Sequence, residues 1–241
     1  MGTVFDPFLL ATTTAQVLSQ AHASETSVAR WQQERLGQLL AAARCGSALY
    51  RERLAKLPDH ASALGHLAPV CRDELMGRFS DWVTDPGLVL SELQAFTSDP
   101  VRMGEPYLGR YLVWESSGTS GQPGIFVQDA RAMAVYDALE AVRRSPDQRT
   151  RRWFDPFYLS ERMAFVGATG GHFASFVSLE RLRQLQPWLA PSMRSFSILQ
   201  PVDALVEALN AFAPTVLASY PTAALLLVEQ ADLGRLKPGL R

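Results

Sequence analysis

The chain has 241 residues, 47% hydrophobic and 20% charged, with a formal net charge of −1. That length admits one large domain or two small ones, and the composition is that of a soluble protein with a sizeable core. Near-zero charge gives no attraction to nucleic acid or to an acidic membrane surface, and no apolar run approaches the roughly 18 residues that span a bilayer.

In chain order, residues 1–23 are apolar and Thr-rich without clear periodicity, and Asp6 and Pro7 interrupt the only early apolar run, so no targeting signal is read. Ser24 or Thr26 is placed to cap a helix through Trp31, Leu36, Leu39, Leu40 and Ala43, whose spacing is helical. Cys71-Arg72-Asp73-Glu74-Leu75-Met76 reads as a further short helix. Cys45 and Cys71 are far apart and lack metal-ligand spacing, so a reduced cytoplasmic setting is expected rather than a disulfide framework. Asp85-Pro86-Gly87 is a turn by residue type, and 86–106 carries little periodicity and reads as a connector. A soft boundary near residue 105 divides a helical N-terminal region, 1–105, from an α/β region, 106–241.

Two short runs rich in aromatic and β-branched residues, Tyr111–Trp114 and Ile125–Val127, predict strands. Between them lies Glu115-Ser116-Ser117-Gly118-Thr119-Ser120-Gly121-Gln122-Pro123-Gly124, with four small hydroxyl side chains and three glycines in its last nine residues. Such a loop has no bulk to bury. It offers backbone N–H groups free to converge, with hydroxyls to complete the shell of an anion. A Ser/Gly-rich hairpin turn or a flexible linker has the same composition. The spacing excludes a Walker loop, which needs Gly-Lys-Ser/Thr, and a Gly-x-Gly-x-x-Gly dinucleotide turn. Nor is there a Gly-x-Ser-x-Gly hydrolase elbow.

Asp129 is placed to cap a helix over Ala130–Arg143 that ends at Ser145-Pro146. Arg143, Arg144, Arg149, Arg151 and Arg152 cluster around that break and read as a solvated loop. From Met163 the pattern alternates. Met163–Val166, Phe196–Leu199 and Val216–Ala218 read as strands, and helices are expected within Leu179–Leu189 up to a break near Pro187, from Pro201 to Phe212 and from Pro221 to Ala231. Strands alternating with helices of this length predict a largely parallel sheet covered by helices. Gly167-Ala168-Thr169-Gly170-Gly171-His172-Phe173 follows the first of these strands. It is either a turn chosen for positive φ or part of a pocket. A histidine in such a place is more often a satisfied structural residue, although its position beside two glycines after a strand predicts an accessible ring.

The string Ser116-Ser117-Gly118-Thr119-Ser120-Gly121-Gln122-Pro123 resembles the phosphate-binding signature of the adenylate-forming enzymes. The likeness is to the phenylacetate–CoA ligase branch, where Ser-Ser-Gly-Thr-Thr-Gly-Lys-Pro is usual. Trp31–Tyr50 followed by Arg51-Glu52-Arg53-Leu54, and the turn Leu64-Gly65-His66-Leu67-Ala68-Pro69, resemble that branch's helical opening. Phe212, Pro214, Thr215 and Val216, then Tyr220-Pro221-Thr222, stand where the branch has Phe-x-Pro-Thr-Val and a strand-to-helix turn.

The resemblance implies an α/β fold, the N-terminal part of an enzyme that activates a carboxylic acid with ATP and Mg2+ to an acyl-adenylate and passes it to coenzyme A. It implies that Ser116, Ser117, Gly118, Thr119, Ser120 and Gly121 bind the ATP phosphates. It also implies that Ala168, Thr169, Gly170, Gly171, His172 and Tyr220 wall the acyl pocket. Gln122 and Gly124 replace residues that are often Lys or Thr, which removes positive charge from the loop, and Ala168 replaces an aromatic residue. The family's adenine, ribose and magnesium motifs do not occur in the 241 residues. Lysine occurs only at Lys56 and Lys237, neither placed to act as the family's adenylation lysine. The chain alone is therefore expected not to adenylate, and no catalytic residue or metal ligand is assigned. The partners expected are a small carboxylic acid, ATP and coenzyme A, without nucleic acid or membrane. An uncovered sheet edge would favour a homodimer. The alternative reading is a non-catalytic relative that binds a ligand or partner.

Overall fold

The computed structural model describes residues 4–21, 23–57, 65–116, 123–143, 160–237 and 239. Among these the chain is α/β, with ten α-helices, an antiparallel strand pair and a parallel three-stranded sheet.

The first helix, α1 (Pro7–Gln20), lies in the stretch without clear periodicity. Asp6 accepts from Leu9 N–H at 2.9 Å and Pro7 opens the first turn, so the Asp-Pro pair that interrupts the early apolar run is itself the start signal. Helix α2 (Glu25–Gly46) is capped by Ser24, as expected, and buries only Leu40. Ser47 then caps α3 (Ala48–Leu54), and its hydroxyl also donates to the Asp81 carbonyl at 2.9 Å. Next come α4 (Arg72–Gly77) and α5 (Phe79–Trp82). The expected connector over 86–106 contains α6 (Leu90–Thr97) and a 3-10 turn over Pro100–Arg102. Leu93 and Phe96 of α6 are fully buried, and two such anchors in eight residues are too few to register as a period.

Strands β1 (Leu112–Glu115) and β2 (Ile125–Gln128) form the antiparallel pair, with Glu115 opposite Ile125. Alternation sends Val113 and Ile125 toward Phe79, Leu93, Phe96 and Tyr107, so this core joins residues on both sides of position 105. Leu112 and Trp114 face the other way, toward Val4, Met133 and Val177. Asp129 caps α7 (Ala130–Arg143), accepting from Ala132 N–H at 2.8 Å, and α1 packs along it. The expected end at Ser145-Pro146, and all of the arginine cluster but the Arg143 backbone, lie outside the described residues.

Strand β3 (Met163–Gly167) is central, between β4 (Met193–Ser197) and β5 (Val216–Ser219), all parallel. Ala164 and Val166 pack against α9 (Val202–Phe212) and α10 (Pro221–Asp232), whereas Phe165 packs against α8 (Ala174–Leu185). Two expected spans shift. Helix α8 starts five residues before Leu179, because Phe176 and Val177 are already buried. Strand β4 starts at Met193 rather than Phe196, since β3 sets the register with Met163 beside Met193; Leu199 is left in a turn, 86% exposed.

Helix α8 joins the two sheets. Its Val177 reaches the β1–β2 core and its Phe176 and Leu179 reach the parallel sheet. Arg181, 2% exposed, forms a bidentate pair with Asp137 of α7, at 3.1 and 2.9 Å, and donates to the Val4 carbonyl. A buried guanidinium needs this many acceptors, and here they come from two distant segments, around Val4 and on α7.

Candidate functional site

Two stretches far apart in sequence meet at the end of β1. Glu115 N–H donates to the His172 carbonyl at 2.7 Å, and Glu115 pairs with Phe173 in a parallel bridge. One residue further, Ser116 N–H donates to the Gly124 carbonyl at 2.9 Å, and Gly124 N–H donates back to Ser116 Oγ at 2.8 Å. This reciprocal pair closes the base of the Ser/Gly loop and occupies the Ser116 oxygen as an acceptor. Ser117, Gly118, Thr119, Ser120 and Gly121 lie outside the described residues.

The loop base is crowded. A Cβ on Gly124 would sit 3.0 Å from the Phe126 ring and 3.2 Å from Cγ and Cδ of Arg72. Glycine at 124 thus admits the stem of an arginine from α4, an element 52 residues earlier. Ile125 N–H donates to Met76 Sδ at 3.4 Å, fixing the same helix against β2. The fold sets the aliphatic stem of Arg72 at the base of this loop, with its Nε 3.5 Å from Asp73 Oδ1. Sequence reading missed Arg72. The one available signal was the gap at Gly124, whose partner no local pattern names.

The second stretch emerges from the carboxyl end of β3. Ile198 N–H donates to the Gly167 carbonyl at 3.0 Å, and Val166 pairs with Ser219, the residue before Tyr220. Ala168 and Thr169 thus follow β3 at the carboxyl edge of the sheet, the edge from which Tyr220 also leaves β5. Open α/β sheets bind ligands at this edge. Tyr220 is half-buried, its ring edge-on to Phe165 with centroids 6.1 Å apart. Gly170 has φ +89°, the conformation that glycine adopts without strain. A Cβ on Gly171 would press on the Phe173 ring at 3.0 Å.

His172 departs from the expectation of an accessible ring. It is 1% exposed, tilted against Phe96 at a centroid distance of 5.5 Å, and neither ring nitrogen has a hydrogen-bond partner among the described residues. The reason is tertiary: α6, which no sequence period announces, lies over it. Burial pushes its pKa down from the ordinary 6.5, and Glu115, the Thr97 and Arg102 carbonyls and Asp99 offset only part of that. The carbonyls favour the charged ring yet fall short of hydrogen-bond geometry to it.

Among the described residues, no group of three or more His, Cys, Asp or Glu could hold a metal ion, and no helix is long and apolar enough to cross a membrane. Cys45 and Cys71 are exposed and unpaired. Compared with protein-family models, curated proteins and solved structures, the chain matches none.

Proposed function

We propose that these 241 residues form the phosphate- and acid-binding part of an ATP-dependent acyl–CoA ligase or related acyl-adenylate-forming enzyme. The supporting observation is the junction at Glu115. It sets the base of the Ser/Gly loop beside the Ala168–His172 turn, at the carboxyl edge of a parallel sheet. In this reading the N–H groups and hydroxyls of Ser117, Gly118, Thr119, Ser120 and Gly121 take the β- and γ-phosphates of ATP. Ser116 holds the loop closed, and Arg72 supplies the cation that Gln122 does not. Ala168, Thr169, Gly170, Gly171 and Tyr220 wall the space for the carboxylic acid, while His172 supports that wall from beneath.

Phosphates suit this reading, in which the N–H groups and hydroxyls of the loop, with a guanidinium, would satisfy an anion. Magnesium would be carried on the phosphates, the described residues offering no carboxylate trio for it. The function proposed for these residues is therefore ligand binding in a reducing, cytoplasmic setting, with coenzyme A as the acceptor the resemblance implies.

Titration calorimetry with MgATP tests the reading. Binding is expected, weakened severalfold or more by Arg72→Ala and abolished by Thr119→Val together with Gly118→Val. Binding absent from the wild type, or unchanged in all variants, sinks it.

A second reading, a non-catalytic module that binds a ligand or partner, draws on Gln122 and Gly124 in place of lysines. It predicts that a carboxylic acid binds with the same affinity whether or not MgATP is present.

A further inference from the structure

We infer that His172 is a positioning residue whose protonation releases the Gly171–Phe173 segment from the end of β1, so that ligand binding at this site is lost in acid. The functional consequence rests on the binding reading above; the structural one rests on the described residues alone.

A neutral side chain of the same shape would suit this position better. The ring lies under Phe96, 99% removed from water, with two polar atoms that find no hydrogen-bond partner among the described residues. Burying polar atoms unpaired is costly, and His172 carries both of its ring nitrogens in that state. The instability sits at a sensitive place. The His172 carbonyl holds Glu115 N–H, and the next residue along β1, Ser116, begins the pair with Gly124 that closes the loop. On the other side, Gly170 at φ +89° gives the backbone a turn able to reorient.

The charged groups around the ring favour its protonation without completing it. Glu115 faces it from β1 and Asp99 from the turn after α6. Arg102 lies over the Phe96 ring at 4.2 Å and pairs with Glu105 at 3.5 Å, so its charge is engaged beside the histidine rather than on it. The Thr97 and Arg102 carbonyls are the acceptors an imidazolium would need, and reaching them requires the segment to move.

Linkage fixes the sign. The buried ring binds its proton less readily than a solvated one, so the open state takes up more protons below pH 6.5. The closed arrangement is fully favoured above that value and loses stability as pH falls from it through the depressed folded value.

The test is hydrogen exchange of the Glu115 amide, corrected for intrinsic rates, between pH 7.5 and 5.5. In the wild type, protection is expected to hold above about pH 6.5 and to fall by up to about tenfold per pH unit below it. In His172→Phe it should stay flat. Protection independent of pH in the wild type, or the same slope in His172→Phe, overturns the inference. Should His172→Phe fail to fold, Asp99→Asn serves instead. It removes a charge that favours the buried imidazolium, so the onset should stay near pH 6.5 and the loss of protection at the acid end should be at least as deep; a smaller loss counts against the role. MgATP titrations at both pH values separate the two readings. A wild-type protection slope without MgATP binding at either pH keeps the latch and sinks the nucleotide assignment. Binding that is equal at both pH values, alongside that slope, overturns the coupling.

Discussion

In the parallel sheet, β3 is buried by segments that come after it in the chain. Helices α8, α9 and α10 lie within about 70 residues of it, and each packs beside the strand that precedes or follows it. The β1–β2 pair is buried by segments on both sides of it in sequence. One face is covered by Phe79, Leu93, Phe96 and Tyr107, and the other by Val4, Met133 and Val177. The parallel unit repeats a local pattern, whereas the strand pair is a meeting point for segments that share no pattern. The candidate site lies between them. The parallel unit supplies the strand-end turn, and the strand pair supplies the loop. The bond from Glu115 to His172 is where the two kinds of construction touch.

Matched core truncations are the strongest challenge to this contrast. Phe96→Ala should cost about 3–5 kcal/mol and Leu209→Ala about 2–5 kcal/mol, since both side chains are essentially fully buried. Chemical denaturation is followed by the fluorescence of Trp114, which lies in the strand pair, with the other four tryptophans replaced by Phe, and is compared with far-ultraviolet dichroism, which averages over the chain. If construction differs as described, Phe96→Ala shifts the Trp114 signal ahead of the dichroism and Leu209→Ala does not. Coincident transitions in both variants would make the regions a single cooperative unit.

Arg181→Met probes the connection through α8. Asp137 keeps some access to water, its side chain 27% exposed, so the loss is that of charged hydrogen bonds, about 1.5–3 kcal/mol. The measurement is urea unfolding, and the expected signature is earlier loss of the packing of α1 on α7. A variant as stable as the wild type would remove Arg181 from the connection.

The smallest effect is a gain. Ala213 ends α9 in the left-handed region, at φ 50°, where an L-residue with a Cβ is strained. Ala213→Gly should stabilise the parallel unit by up to about 1 kcal/mol, less whatever glycine adds to the entropy of the unfolded chain. A thermal midpoint below that of the wild type would refute this.

Much of the parallel unit was legible because its signals act within a few residues, with Pro201 and Pro221 at helix starts and short β-branched runs in the strands. Outside it, Ser24 and Asp129 as caps likewise speak for their own segments. Helices α1 and α6 were not legible. The first has one decisive cap and no period, and the second is held by two buried anchors that only its partners explain. The turn at Thr169–His172 was legible as a glycine turn after a strand, and Tyr220 as the residue after another. The burial of His172 was not, because its cover is α6.

The sequence by itself determined the alternation of strands and helices after Met163, the caps, and the presence of a small-residue loop between two strands. Tertiary structure decided which side chains stand at that loop's base and whether the histidine beside it meets water. The physical reason is range. Caps, turns and periodicity are settled by backbone groups a few residues apart, whereas the approach of Arg72 to Gly124 and the seating of His172 under Phe96 bring together residues 52 and 76 positions apart, through packing that no local pattern encodes.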